Sequence, residues 1–172
     1  MKLSDTRTLD ADVETVWAAI TDKDVLRRCV PGCQEMTGSP EEGFEAVVVQ
    51  KVGPVKATFT GQVTLTEMKR PESLTITGEG KGGPAGFAKG GADVRLEPKG
   101  DQTILHYDVE AKVGGKLAQL GSRIIDGFAK KMADQFFDNF RNAVAPPAPE
   151  AEGADDAADE TEKKGWFRKL VS

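Results

Sequence analysis

Two cysteines four positions apart and a single histidine are the groups in this sequence whose chemistry most needs accounting for. Cys29 and Cys33 can in principle share a metal or furnish a nucleophile for His106 to activate. A structural zinc site takes four closely set Cys or His ligands, and the chain holds only these three such residues. His106 lies on the polar side of an alternating stretch with Asp108 and Glu110, where a solvated histidine is the default. No Ser/His/Asp or Cys/His pairing is evident. Residues 78–83, GEGKGG, fit the G-x-G-x-x-G pattern of a dinucleotide-binding turn. That turn must open a helix whose N-terminus meets the pyrophosphate, yet Pro84, Gly86, Gly90 and Gly91 follow. A hairpin or loop is the reading there. No catalytic residue and no metal site are expected.

The elements that carry these residues follow from periodicity. Residues 2–9 alternate loosely, as an edge strand does. Asp10 or Asp12 can cap a helix through Val13, Val16, Trp17 and Ile20, and Asp22 a second, which Pro31 and Gly32 stop. From Cys33 to Val113 the period becomes two. Val55, Ala57, Phe59, Gly61, Val63 and Leu65 alternate with polar neighbours, as do Leu105, Tyr107, Val109, Ala111 and Val113. Weaker alternation at 44–52, 74–78 and 88–96 brings the count to five successive strands. Over 116–144 the helical period returns, through Leu117, Leu120, Ile124, Phe128, Met132, Phe136 and Phe140. The fold class is α+β: an antiparallel curved sheet gripping a long C-terminal helix.

The 172 residues, 38% hydrophobic and 30% charged, suit one domain plus a tail. The start lacks the basic and apolar regions of a signal peptide and no apolar run spans a bilayer. Two cysteines give no disulfide framework, so a cytoplasmic protein is expected. Charge is unevenly spread: residues 1–144 are near neutral, 145–162 hold seven acids and no base, and 163–172 hold four bases. Such a chain is a poor nucleic-acid binder, which needs a broad basic surface.

Residues 145–162, rich in Pro, Ala and acid, offer nothing large to bury and read as a disordered linker, with an end-to-end distance of about 25 Å if flexible. In residues 163–172 a helical turn gathers Trp166, Phe167 and Leu170, with Lys163, Lys164, Arg168 and Lys169 around them. That pattern suits a weak, salt-sensitive contact with an anionic membrane surface. A docking peptide for a protein partner is the alternative.

Four segments, taken together and in order, resemble the CoxG family, named for the CoxG subunit of carbon monoxide dehydrogenase, within the START-like (SRPBCC) helix-grip superfamily. They are LRRCVPGCQEM at 26–36, KVGPVKATFTGQV at 51–63, GEGKGGPAGFAKGGA at 78–92 and KVGGKLAQLGSRII at 112–125. The resemblance implies a seven-stranded antiparallel sheet over residues 1–144, curved around the last helix with a lipophilic cavity between. It also implies a non-catalytic accessory protein that recruits a molybdenum hydroxylase of carbon monoxide dehydrogenase type to the inner face of the cell membrane. A lipophilic quinone, menaquinone or ubiquinone, is the ligand it points to.

The residues supply a physical argument for the cavity. Gly61, Ala88, Gly90 and Ala92 withhold volume where a solid core would take Leu or Ile. Trp17, Phe44, Phe59, Phe87, Tyr107, Phe128, Met132 and Phe136 offer apolar and aromatic walls. Plain core packing would use the same side chains. The rival is a small cyclase or hydrolase using Tyr107 or Asp93 in the cavity, although Asp93 has the wrong parity if Ala92 faces in. A third reading is an assembly chaperone for the hydroxylase.

Overall fold

The structure, a computed structural model, describes residues 1–145. The expected linker and membrane-contact tail, with Lys163, Lys164, Trp166, Phe167, Arg168, Lys169 and Leu170, lie outside the described residues. Strand β1 (Lys2–Leu9) is followed by helices α1 (Val13–Ile20) and α2 (Lys23–Cys29). Strands β2 (Cys33–Ser39), β3 (Gly43–Val52), β4 (Val55–Lys69), β5 (Ser73–Lys81), β6 (Phe87–Lys99) and β7 (Gln102–Gly114) come next. Helices α3 (Lys116–Gln119) and α4 (Ser122–Val144) close the chain. All neighbours pair antiparallel, in the order β1-β7-β6-β5-β4-β3-β2.

Local chemistry explains the boundaries. Asp12 caps α1, its Oδ1 accepting from the Thr15 amide at 2.9 Å. Asp10 instead accepts from the Gln102 side chain at 2.6 Å, pinning the start of β7 to the end of β1. Asp22 caps α2 through the amides of Asp24 and Val25. The helix ends at Val30, whose extended conformation is the one a following proline favours.

Two expectations change. Six strands, not five, follow the helices, because Cys33–Ser39 pairs with β3. The sequence CQEMTGS shows little alternation, and a register shift between Cys33 and Glu35 breaks what there is. The stretch 116–144 is two helices rather than one: Gly121, at φ 89°, separates α3 from α4.

The core fills one end of the layer between sheet and helices. Leu9, Val16, Phe44, Leu105 and Phe140 are almost fully buried there, with Trp17, Leu65, Leu74, Val94, Leu96, Tyr107 and Phe137 around them. Each such side chain contributes roughly 1.5–3 kcal/mol by leaving water. The buried residues of α4 are Phe137, Phe140 and Val144, all in its C-terminal half.

An ion pair fixes the middle of α4 against β1. Arg7 Nη2 donates to Asp134 Oδ1 at 2.8 Å and to the Tyr107 hydroxyl at 3.1 Å. Its guanidinium also lies 5.0 Å from the centre of the Phe137 ring. Burial opposes the charge of Arg7, but the bonds to Asp134 and Tyr107 outweigh it and the net shift is upward. The bonds from Arg7 and Lys130 hold the Asp134 carboxyl below its ordinary range. A depressed carboxylate contributes stability that is full above its unfolded pKa and is lost as pH falls through the folded value. Asp12 is depressed in the same direction by its bond from Thr15. The melting temperature should therefore fall on acidification below about pH 4. Asp134→Asn should melt lower at neutral pH and lose less on acidification; parallel pH curves for the two proteins would contradict this role.

A candidate apolar groove between sheet and helix

Away from the packed core, the sheet continues under the N-terminal half of α4 with much smaller side chains. On β4, Ala57, Phe59 and Gly61 share the inward face with core residue Leu65 and alternate with exposed Lys56, Thr58 and Thr60. The register sets Gly61 beside Gly80 of β5, Gly80 beside Ala88 of β6, and Ala88 beside Val113 of β7. One step toward the core, Gly78, Gly90 and Ala111 form a second such row. None of these inward positions carries a charge or a hydrogen-bonding side chain. All are half-buried rather than buried, so this part of the sheet is less tightly covered than the core.

The opposing wall is the row Ile124, Phe128, Met132 and Phe136, successive turns of α4. Phe128 and Met132 are half-buried, whereas Ile124 is 41% exposed. Phe136 marks where the groove meets the core, since it packs on the buried cluster and stacks on Phe140 at 5.8 Å. Ala92 and Val109 occupy the same boundary on the sheet. Such a lining, apolar and without charged groups, suits a lipophilic molecule.

The residues expected to line a cavity thus divide. Phe59 and Gly61 lie half-buried on the inward face of β4, Phe128 and Met132 half-buried on α4, and Ala92 and Phe136 pack against the core. Trp17, Phe44 and Tyr107 do not line the groove: they are buried in the packed core, Tyr107 stacked on Phe137 at 5.0 Å. Phe87 is also displaced from its expected place. It precedes inward-facing Ala88 and so takes the outer face, where it is 38% exposed and its ring lies over Gly114. Val113 and Gly80 were not singled out from sequence, though the glycine and valine alternation around them carried the signal.

The other candidates for chemistry are scattered. Cys29 is buried beside the core while His106 faces outward from β7, bonded to Glu97 at 2.9 Å. Burial pushes the thiols of Cys29 and Cys33 upward, which keeps them protonated and unreactive at neutral pH. Asp93 accepts from Thr75 Oγ1 at 2.9 Å on the outer face, and the Tyr107 hydroxyl is held by Arg7. Residues 78–86 run through β5 into a hairpin with a short 3-10 turn at Gly83–Ala85, not into a long helix. No three His, Cys, Asp or Glu side chains gather as a metal would need among the described residues. The outer face carries an open depression of about 730 Å³, edged by Gln62, Thr64, Glu79, Lys89, Glu110 and Lys112 and floored by the small residues Gly78, Gly90 and Ala111. Among the described residues no helix is long and apolar enough to cross a membrane.

The family model for CoxG, a subunit of carbon monoxide dehydrogenase, matches residues 7–145. The chain belongs to the CoxG family. In this CoxG-family chain the match begins within β1 and ends one residue past α4, so it takes in both walls of the groove. A conserved protein from Geobacillus kaustophilus is 28% identical, with a TM-score of 0.78 over 84% of this chain and 95% of that one. A START superfamily protein from Mycobacterium smegmatis is 16% identical, with a TM-score of 0.63 over 83% of this chain and 96% of that one. A protein from Chromobacterium violaceum gives 17% and 0.63 over 84% and 97%. The latter two likenesses show the START-like fold alone. No curated protein matches the chain.

Proposed function

We propose that this CoxG-family protein is a non-catalytic accessory protein of a molybdenum hydroxylase of carbon monoxide dehydrogenase type. In this reading it holds a lipophilic quinone, menaquinone or ubiquinone, in the groove and brings the enzyme to the inner face of the cell membrane. Family membership supports the accessory role beside a carbon monoxide dehydrogenase. The quinone reading rests on one observation: the half-covered inward face built from Ala57, Phe59, Gly61, Gly80, Ala88 and Val113. Their apolar character suits an isoprenoid chain or an aromatic headgroup, and they offer no group that would move a proton. Tyr107 and Asp93, which an enzyme in the same fold would need, are engaged by Arg7 and Thr75. That favours carriage over turnover.

Mass spectrometry of an organic extract, taken from protein purified without detergent from its own host, tests the ligand. A stoichiometric quinone is expected. Lipids of no fixed identity, or none, would leave an anchor or an assembly chaperone as the function. The tail is tested separately: removing residues 163–172 should reduce co-flotation with anionic vesicles, and undiminished flotation would deny it a membrane role.

A further inference from the structure

The register places several cations of distant sequence position at one end of the sheet, the end where the groove lies. Lys51 and Lys56 are direct cross-strand partners at the β3–β4 hairpin, and Lys89 and Lys112 are direct partners on β6 and β7. Lys81 closes β5 opposite Phe87. Like charges set directly opposite destabilise a sheet, and these two lysine pairs, beside the acidic pair Asp93 and Asp108, leave cations that the sheet itself does not neutralise. Lys116 and Arg123, on α3 and in the first turn of α4, extend the cluster around the helix end. All of these side chains are exposed. None forms an ion pair with a described residue, whereas Lys2, Arg7, Arg70, Lys130 and Arg141 all do. The nearby acids are few: Glu79 beside Lys89, and Asp126 on α4. Glu110 is taken by Lys2.

The same end presents apolar side chains to solvent. Phe87 and Ile124 are 38% and 41% exposed, and with Met68 they are the exposed large hydrophobic residues of the described chain. Ile124 stands beside the β3–β4 turn, within van der Waals range of where a Gly53 side chain would begin. Phe87 opens β6 next to the Gly83–Ala85 turn. Cations around exposed aromatic and aliphatic side chains match an anionic lipid interface, where the charges meet headgroups and the apolar tips enter between them. An acidic protein surface would use the charges but leave Phe87 and Ile124 without a role.

We infer that the folded domain itself docks on anionic membrane through this end, with Lys51, Lys56, Lys81, Lys89 and Lys112 on the outer face of the sheet, and Lys116 and Arg123 at the helix end, against the headgroups. The docking names the membrane partner of the proposed quinone groove and takes its purpose from that reading, but it is measured independently of it. It is also distinct from the tail, which lies on another part of the chain.

The test is co-flotation of the full chain with vesicles of phosphatidylcholine and phosphatidylglycerol, against vesicles of phosphatidylcholine alone. It is repeated in a full chain whose tail cations Lys163, Lys164, Arg168 and Lys169 are replaced by Gln. The variant carries Lys51→Glu and Lys112→Glu, which turn each like-charged pair into an attractive one and leave Lys89 opposite Glu79, so it should melt no lower than its parent. Each cation near an anionic leaflet is worth about 1 kcal/mol, so partition should fall about tenfold or more in both tail backgrounds. Phe87→Ser should lower it further. Flotation unchanged by the two reversals overturns the proposal and passes the cluster to an acidic protein partner or to the acidic residues 150–162. Equal losses on phosphatidylcholine alone also overturn it. Quinone content of the same preparations separates the two readings. Bound quinone with unaltered flotation sinks the docking alone, and charge-dependent flotation without quinone sinks the carrier alone.

Discussion

Phe140→Ala is expected to cost about 4 kcal/mol of folding free energy, and Phe128→Ala about 1 kcal/mol, although both residues lie on the inward side of the same helix. Phe140 is fully buried, stacked on Phe136 at 5.8 Å and edge-on to Phe137 at 6.4 Å. Its removal leaves a cavity in the buried cluster beside Phe136 and Phe137 that packed neighbours close only in part. Phe128 is only half-buried, so its loss forfeits only part of its own transfer energy. Domains of this size have total stabilities of roughly 5–15 kcal/mol. The first variant should therefore melt on the order of 10 °C lower and the second only a few degrees. Urea titration with unchanged slope would make the comparison quantitative. Equal costs for the two would mean that the layer is solid from end to end and that no groove exists.

Much of this division was legible in the sequence, and the exceptions have physical causes. Strands β4 and β7 announce themselves because one face is apolar and the other polar over many residues. β2 is short and at the edge, and its register shift interrupts the pattern that periodicity detects. The helical stripe through Ile124, Phe128, Met132 and Phe136 was visible, but Phe137 was not, because adjacent phenylalanines hide which one faces the core. Phe87 went to the wrong face although neighbouring residues in a strand cannot share one; inward Ala88 already fixed its direction. Arg7 and Asp134 are 127 positions apart, so nothing local pairs them. The cation cluster is the extreme case. Its members come from β3, β4, β5, β6, β7, α3 and α4, each ordinary in its own segment, and only the strand register sets them side by side.

Gly61→Phe should abolish quinone binding, weakening it at least a hundredfold, while leaving the fold nearly intact. A side chain at Gly61 would begin 3.5 Å from the Glu79 carbonyl and 3.9 Å from that of Ala46, ordinary contact distances that leave the backbone undisturbed. Parity then directs the ring into the space between Phe59 and Val63 on the same face, where the proposed ligand would lie. A hundredfold loss corresponds to about 2.7 kcal/mol, within what displacing part of an apolar ligand from its pocket costs. Gly90→Ala provides the contrast. Its Cβ would fall 2.1 Å from the Glu110 carbonyl oxygen and 2.7 Å from the Ala111 backbone. The paired strand cannot retreat, so about 3 kcal/mol of stability should be lost from a single methyl group. Binding measured by intrinsic fluorescence quenching with a short-chain menaquinone, alongside thermal melts, distinguishes the two. If Gly61→Phe retains full affinity with an unchanged melt, the ligand lies elsewhere. If instead it unfolds as readily as Gly90→Ala, the space over Gly61 is packed protein, and small residues there serve the curvature of the sheet rather than a guest.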